Sequence, residues 1–221
     1  MFRIFIGGVV LLVSYFLGCI NGSVMTSHFV IKDDVRKHGS GNAGLTNFYR
    51  TYGAKYALLV IALDMGKTVV AGLIGGFMFS HLFGDWTLGL LLAGLGCELG
   101  HMFPVFFGFK GGKGILSGGV LAFMVDWRVG LVAWGLFIVL WLLSKYVSLG
   151  SVFAAASLTV STFFVKHYVW RYTLICFIIS ALVLYCHRGN IQRLLNGTES
   201  KFKWHVNPVE PKPDGEEQQK G

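Results

Sequence analysis

Apolar residues occur along this chain in long runs, not in narrow stripes. Phe5 to Val30, Ala57 to Ser80, Thr87 to Phe107, Ile115 to Val125, Val129 to Leu143, Val147 to Val165 and Tyr172 to Cys186 are almost uninterrupted by charge. A helix that is apolar all round must be buried in a large core or in lipid, and roughly 20 such residues cross a hydrocarbon core about 30 Å thick. The seven runs predict an all-α polytopic membrane protein with about seven transmembrane helices. Ile115 to Val125 and Val129 to Leu143 are short for a crossing, so they either extend into their flanks, 111–114 and 126–128, or form a re-entrant pair. Both choices leave an odd number of spans.

At the N-terminus, Arg3 ahead of an apolar stretch has the look of a secretory signal, and Phe16-Leu17-Gly18-Cys19 approaches a lipoprotein cleavage box. The two residues before Gly18 do not fit that box, and the run continues to about Val30, so a retained first span is expected. With 54% hydrophobic and only 14% charged residues, the composition excludes an ordinary soluble domain. A single membrane domain over residues 1–206 is expected. The tail 207–221, with Pro208, Pro211, Pro213 and several acids, is too poor in apolar residues to pack and is predicted to be disordered. Cys19, Cys97, Cys176 and Cys186 lie in or beside apolar runs without ligand spacing, as small buried residues do.

Charge placement orients the spans. Fourteen of the nineteen Lys and Arg fall in segments 32–56 and 108–114, at Lys145, and after His187; the opposite side holds Arg3, Arg128, Lys166 and Arg171. Cytoplasmic loops are the ones enriched in Lys and Arg, which puts the N-terminus outside and the C-terminus in the cytoplasm.

Three segments on that basic side carry candidate chemistry. The first runs from His38 to Arg50 and combines Gly39, Gly41 and Gly44 with Ser40, Asn42, Thr46 and Asn47. Glycine lets backbone N–H groups approach an anion, the short side chains donate, and arginine offers a two-pronged fork. The second contains Gly100, His101 and Pro104, then Lys110-Gly111-Gly112-Lys113-Gly114 leading into an apolar helix, a ready anion site. It is not a Walker A loop, because the spacing is one residue short and Gly114 stands where a magnesium-binding hydroxyl belongs; Gly66-Lys67-Thr68 lacks the upstream glycine. Nucleoside triphosphate hydrolysis is therefore excluded. The third follows the last span, from His187 to Glu199; helical spacing puts His187 and Asn190 on one face. Inside the apolar runs, Asp64 with Lys67 and Glu98 with His101 each stand three apart, the spacing of a self-neutralising helical pair. His28 and Asp33 match an H-x₄-D dyad, a spacing that arises readily by chance.

Together the three segments resemble the bacterial acyl-phosphate:glycerol-3-phosphate acyltransferase family over about residues 20 to 203. The glycine-serine-asparagine stretch from Gly39 to Arg50 matches its first motif with Leu45 in place of Ala. Gly100-His101 through Gly114 matches the second, and His187 to Glu199 the third. Ile115-Leu116-Ser117 stands where the family reads Val-Ala-Thr, so Ser117 keeps a hydroxyl. Glu98 is not expected from the family.

The resemblance implies transfer of a fatty acyl group from acyl phosphate to the 1-hydroxyl of glycerol 3-phosphate, giving lysophosphatidic acid and inorganic phosphate, the first step of phospholipid biosynthesis. It implies catalytic roles for Ser40, Arg50, Lys113, His187 and Asn190. Substrate binding is implied for Gly41, Asn42, Thr46, Asn47, Lys67, His101, Lys110, Gly111, Gly112, Arg188 and Glu199. No cofactor or metal is expected. Expected partners are the two substrates and membrane lipids, without nucleic acid, for a monomer in the bacterial inner membrane whose site faces the cytoplasm. A transporter for an organic phosphate would use the same loops, but predicts binding groups near the bilayer midplane and internal repeats; the cations here cluster on one face and no repeat shows.

Overall fold

A computed structural model describes residues 1–204, and its secondary structure is entirely helical. The predicted disordered tail, 207–221, lies outside the described residues. Helix α1 (Phe2–Gly18) is followed by α2 (Gly22–Met25), a π-helical stretch (Thr26–Val30) and a tight turn (Val35–Lys37). Then come the short α3 (Leu45–Tyr52), the long α4 (Ala57–Phe83) and α5 (Trp86–Met102). Four further apolar helices follow: α6 (Ile115–Val125), α7 (Trp127–Ser144), α8 (Val147–Val165) and α9 (Trp170–Cys186). Helix α10 (Arg188–Leu195) leaves α9 at an angle of 60°.

Every predicted apolar run falls on helical structure, but the first, Phe5 to Val30, is divided among α1, α2 and the π-helical stretch, and the third, Thr87 to Phe107, outlasts α5 by a short turn. Five stretches are long and apolar enough to cross a membrane, or six if α9 and α10 count as one bent span; α6, with 11 residues, falls short. The fifth run proves longer than its hydropathy shows. Asp126 ends α6 and caps α7 by accepting the Arg128 backbone N–H at 3.0 Å, so α7 starts at Trp127 and reaches 18 residues.

Helix α5 is the hub. Its flanks pack on α1, α4, α6 and α9, and small residues make that closeness possible, as they do between helices in lipid. Gly96 and Gly100, one turn apart, face α1: a Cβ on Gly96 would stand 2.3 Å from the Leu11 carbonyl oxygen, and one on Gly100 2.0 Å from that of Tyr15. On another face Gly89 meets Gly75 of α4, where an added Cβ would lie 2.1 Å from the Gly75 carbonyl oxygen. Leu90, Leu91, Leu121, Val129, Leu158 and Ile179 fill the main core behind these contacts. A second core of Val24, Ile31, Val35, Phe48, Tyr52 and Val60 supports the loop before α3. Cys19, Cys97 and Cys176 are buried free thiols, as expected, and Cys186 is half-buried. At the bundle end away from α3, Asp85 binds Arg3 (2.6 Å) and the Tyr172 hydroxyl (2.7 Å), joining α1, α5 and α9.

Since backbone cannot yield as a flexible side chain can, Gly100→Ala should cost about 1–3 kcal/mol through overpacking. Gly8→Ala and Gly135→Ala, where nothing lies within 4 Å of the new Cβ, should be neutral or slightly stabilising. Thermal unfolding in one detergent checks the contrast.

Candidate active site

The first segment is folded by Asn47. Its Oδ1 accepts the Ser40 backbone N–H at 3.0 Å, and its Nδ2 donates to the carbonyls of Val35 and His38 at 3.1 Å each. This staple bends the loop around Gly39 and Gly41, whose φ angles of +55° and +69° suit glycine. Asn47 is thus engaged with the loop itself, while Ser40 and Arg50 stand on the cavity wall. Arg36 ties the loop sideways, donating to the Phe107 carbonyl at 2.8 Å.

The second segment joins the first directly. The Ala43 N–H donates to the Gly111 carbonyl, and Asn21 donates to the Ala43 carbonyl at 3.1 Å. Gly112 has to be glycine, because a Cβ there would lie 2.1 Å from His101 Nε2. Gly114 caps α6 with φ +79°, and its missing side chain leaves space for the Glu98 carboxyl, 2.0 Å from where a Cβ would be. Glu98 is fully buried, and neither of its oxygens has a hydrogen-bond partner among the described residues. The expected Glu98–His101 pair is therefore not formed. His101 turns to α4 instead, where its Nδ1 accepts from Lys67 Nζ at 2.8 Å; i,i+3 spacing brings two residues to one side of a helix without obliging them to meet. The expected Asp64–Lys67 pair is present at 2.8 Å. Lys67 also donates to the carbonyls of Gly18 (3.1 Å) and Ile20 (2.8 Å), so its ammonium is held behind the cavity wall, which Asp64 and His101 form.

In the third segment, Lys113 donates to Asn190 Oδ1. Asn190 Nδ2 and the Ser148 hydroxyl each donate to Glu199 Oε1 at 2.8 Å, and Arg193 Nε donates to Oε2 at 2.7 Å. Burial pushes the Glu199 carboxyl up, but these three donors together bring it below the usual carboxylate range. His187, at the bend between α9 and α10, is buried, and its Nδ1 lies 2.8 Å from the Val183 carbonyl. A carbonyl can only accept, so Nδ1 carries the proton and Nε2 keeps its lone pair.

All three segments open on one cavity of about 1310 Å³. Ser40, Asn42, Thr46, Asn47, Arg50, His101, Lys113, His187, Asn190 and Glu199 line it. Gly41, Lys67, Lys110, Gly111, Gly112 and Arg188 are not on its wall: Lys110 is exposed, the glycines shape the loops, and Arg188 folds back over the Tyr185 ring at 4.3 Å. Ser117 is buried off the wall, its hydroxyl without a partner among the described residues. Sequence reasoning assigned no role to Arg193 or Ser148. Arg193 was within reach as a cation inside the third segment; Ser148, one hydroxyl in an apolar run, gave no signal. The His28–Asp33 dyad is not formed, since Asp33 holds His38 Nε2 at 2.7 Å. Below the polar rim the wall is apolar, with Met65, Ala122, Trp134, Phe137, Leu158 and Ile179. From Ser148 to Leu158 the lining of α8 descends about 15 Å at 1.5 Å per residue.

Polar, cation-bearing loops above an apolar shaft are what a membrane enzyme that handles an amphiphilic, phosphate-bearing molecule requires. The chain belongs to the glycerol-3-phosphate acyltransferase family, whose model matches residues 8–197. It is 40% identical over 192 residues to the glycerol-3-phosphate acyltransferase of Finegoldia magna, covering 86% of this chain and 93% of that one. It is 38% identical over 193 residues to that of Thermoanaerobacter pseudethanolicus, with the same coverage. The fold is similar to crystal structures of PlsY, an integral membrane glycerol 3-phosphate acyltransferase. In its glycerol 3-phosphate form the TM-score is 0.78 at 38% identity, covering 89% of this chain and 96% of that one. In its lysophosphatidic acid form the TM-score is 0.76 at 36% identity, covering 90% and 96%.

Burial, reinforced by nearby Arg193, lowers the pKa of Lys113. The cation is present below that pKa and is lost as pH rises through it. Acyltransferase activity should accordingly fall on an alkaline limb that begins below the ordinary lysine range of about 10.4. In Lys113→Arg the limb should move upward, because guanidinium stays charged; a pH–rate profile of the two proteins checks this.

Proposed function

We propose that this protein transfers a fatty acyl group from acyl phosphate to the 1-hydroxyl of sn-glycerol 3-phosphate, producing lysophosphatidic acid and inorganic phosphate. The observation that carries this reading is a single cavity with two cationic, glycine-shaped walls above an apolar shaft. One wall presents Ser40 and Arg50, the other Lys113 at the N-terminus of α6. Each is a cradle for a phosphate, by charge and by free backbone N–H groups, and the shaft receives a hydrocarbon chain.

The hydroxyl oxygen attacks the acyl carbonyl carbon, and the bond from that carbon to the phosphate oxygen then breaks. The tetrahedral oxyanion and the departing phosphate both gain negative charge beside Lys113, which is fixed before the reaction begins and stabilises it electrostatically, while Arg50 holds the phosphate of the other substrate. Phosphate leaves readily, so no protein nucleophile is required. His187, with Nε2 unprotonated, accepts a hydrogen bond from the hydroxyl and orients it; Asn190 holds Lys113 in place. The hydroxyl proton passes to Nε2 or to a phosphate oxygen, and the sum of charges is the same by either route.

In this reading seven segments cross the bacterial inner membrane, the crossing at α6 being completed by the loop that precedes it, with the N-terminus outside and the site cytoplasmic, and the protein acts as a monomer without cofactor. The 11 residues of α6 reach only about 16 Å, half the hydrocarbon thickness. Lys113 would thus stand below the headgroups, level with the carbonyl of a lipid-borne donor.

Release of inorganic phosphate by the purified protein, given palmitoyl phosphate and glycerol 3-phosphate, tests the reading. Release should need both substrates, should not be replaced by acyl transfer from palmitoyl-CoA, and should fall about a hundredfold in Lys113→Ala. Equal lysophosphatidic acid from the CoA ester would refute the donor assignment.

A further inference from the structure

The residues after α10 run back over the cavity mouth and fasten two elements that otherwise stand apart. On one side, Phe202 donates its backbone N–H to the Lys145 carbonyl at 2.8 Å, at the turn between α7 and α8. Its ring meets Trp141 of α7 edge-on, with centroids 5.3 Å apart. On the other side the same ring stacks on Tyr49 of α3, centroids 5.4 Å apart and planes within 20°. The Tyr49 hydroxyl donates to the Trp204 carbonyl at 2.7 Å, and Arg50 Nη2 donates to the Ser200 carbonyl at 3.2 Å. Ser200, Lys201, Phe202 and Lys203 line the cavity. The inner face of α3 is fixed by buried Phe48 and Tyr52; its outer face, which carries Tyr49 and Arg50, is held by this strap. The strap, residues 200–204, follows Glu199 at the end of the third segment and lies beyond residue 197, where the match to the family model ends.

We propose that residues 200–204 are a fourth element of the active site, and that Phe202 is a positioning residue that fixes the Arg50 guanidinium through Tyr49. A guanidinium has five N–H donors in one plane. The bond to Ser200 uses a donor on Nη2 and sets the orientation of that plane, while the stack on Tyr49 fixes the backbone from which the side chain rises. Phosphate then meets a fork already turned toward the cavity, which lowers the ordering cost of binding. The inference rests on the reading that Arg50 holds a substrate phosphate.

Steady-state lysophosphatidic acid formation by the full-length protein, with each substrate varied in turn, tests it. Phe202→Ala should raise KM for one phosphate substrate about five- to tenfold, the scale of an aromatic stack, with kcat within about twofold. Phe202→Tyr should restore it. Because Lys cannot form the tethered fork, Phe202→Ala should add less than about twofold in an Arg50→Lys background, the signature of coupled residues. Both KM values unchanged in Phe202→Ala, in the face of a large loss in Arg50→Ala, would overturn the proposal and leave the role of Arg50 intact. A lower KM in Phe202→Ala would overturn it too, as it would mean that the strap competes with phosphate. An Arg50→Ala protein with unaltered kinetics would instead remove the reading of Arg50 on which the proposal stands. If Phe202→Ala does not fold, Tyr49→Phe, which deletes only the hydroxyl bond to the Trp204 carbonyl, should raise the same KM about two- to threefold, the value of one hydrogen bond; no change would overturn the proposal.

Discussion

The site hangs on one buried ammonium. Lys67 sits inside an apolar bundle, where an unpaired charge costs several kcal/mol, and its three N–H groups are shared among four surrounding acceptors: the Gly18 and Ile20 carbonyls, Asp64, and His101 Nδ1. Those acceptors belong to three different helical segments. Gly18 and Ile20 lie where the first helix breaks, and their carbonyls, freed there, need a donor. Asp64 also accepts the Gly22 N–H at 3.0 Å, starting the next helix. Lysine can only donate, so His101 accepts at Nδ1 and its ring stays aimed at Gly112. From this point the order passes outward through Asn21 to Ala43 and from Ala43 to Gly111. The two glycine loops are therefore one structure, and neither can shift without disturbing the other.

That arrangement reconciles two demands. Phosphates need cations, free N–H groups and water; an acyl chain needs to avoid all three. A short α6 lets the cationic loop sink into the bundle, while α8 carries the apolar lining down beside it. The surface away from the cavity, with exposed residues such as Phe77, Leu131, Phe153 and Phe177, is what a lipid-facing exterior requires. Charges that would be costly in that exterior are gathered at the loops or, as with Asp64 and Lys67, paired inside; Glu98, buried beside Gly114, is the exception.

Much of this was legible in the sequence, because it rests on local properties. All-round apolarity places the helices, and clusters of glycine, short donors and cations mark the three segments that line one cavity. Three kinds of information were hidden. Side-chain direction was one: Asn47 carries the mark of a phosphate ligand but staples its own loop, and Lys67 points toward the first helix break, not into the cavity. A second was the choice among neighbours. Glu98 stands at pairing distance from His101 along the helix, yet the His101 ring finds Lys67 on another helix, leaving the carboxyl against Gly114. The third was long-range packing: nothing local in Phe202 announces a partner at Tyr49, in a segment far earlier in the chain.

A crystal structure with glycerol 3-phosphate and a non-hydrolysable acyl phosphonate bound together is the most direct test. The account predicts both phosphorus groups inside the cavity, one on Ser40 and Arg50 and the other on Lys113, the alkyl chain along α8 toward Leu158, and Lys67 still bonded to Gly18, Ile20, Asp64 and His101. A phosphate coordinated by Lys67 itself, or a ligand held outside this cavity, would contradict it.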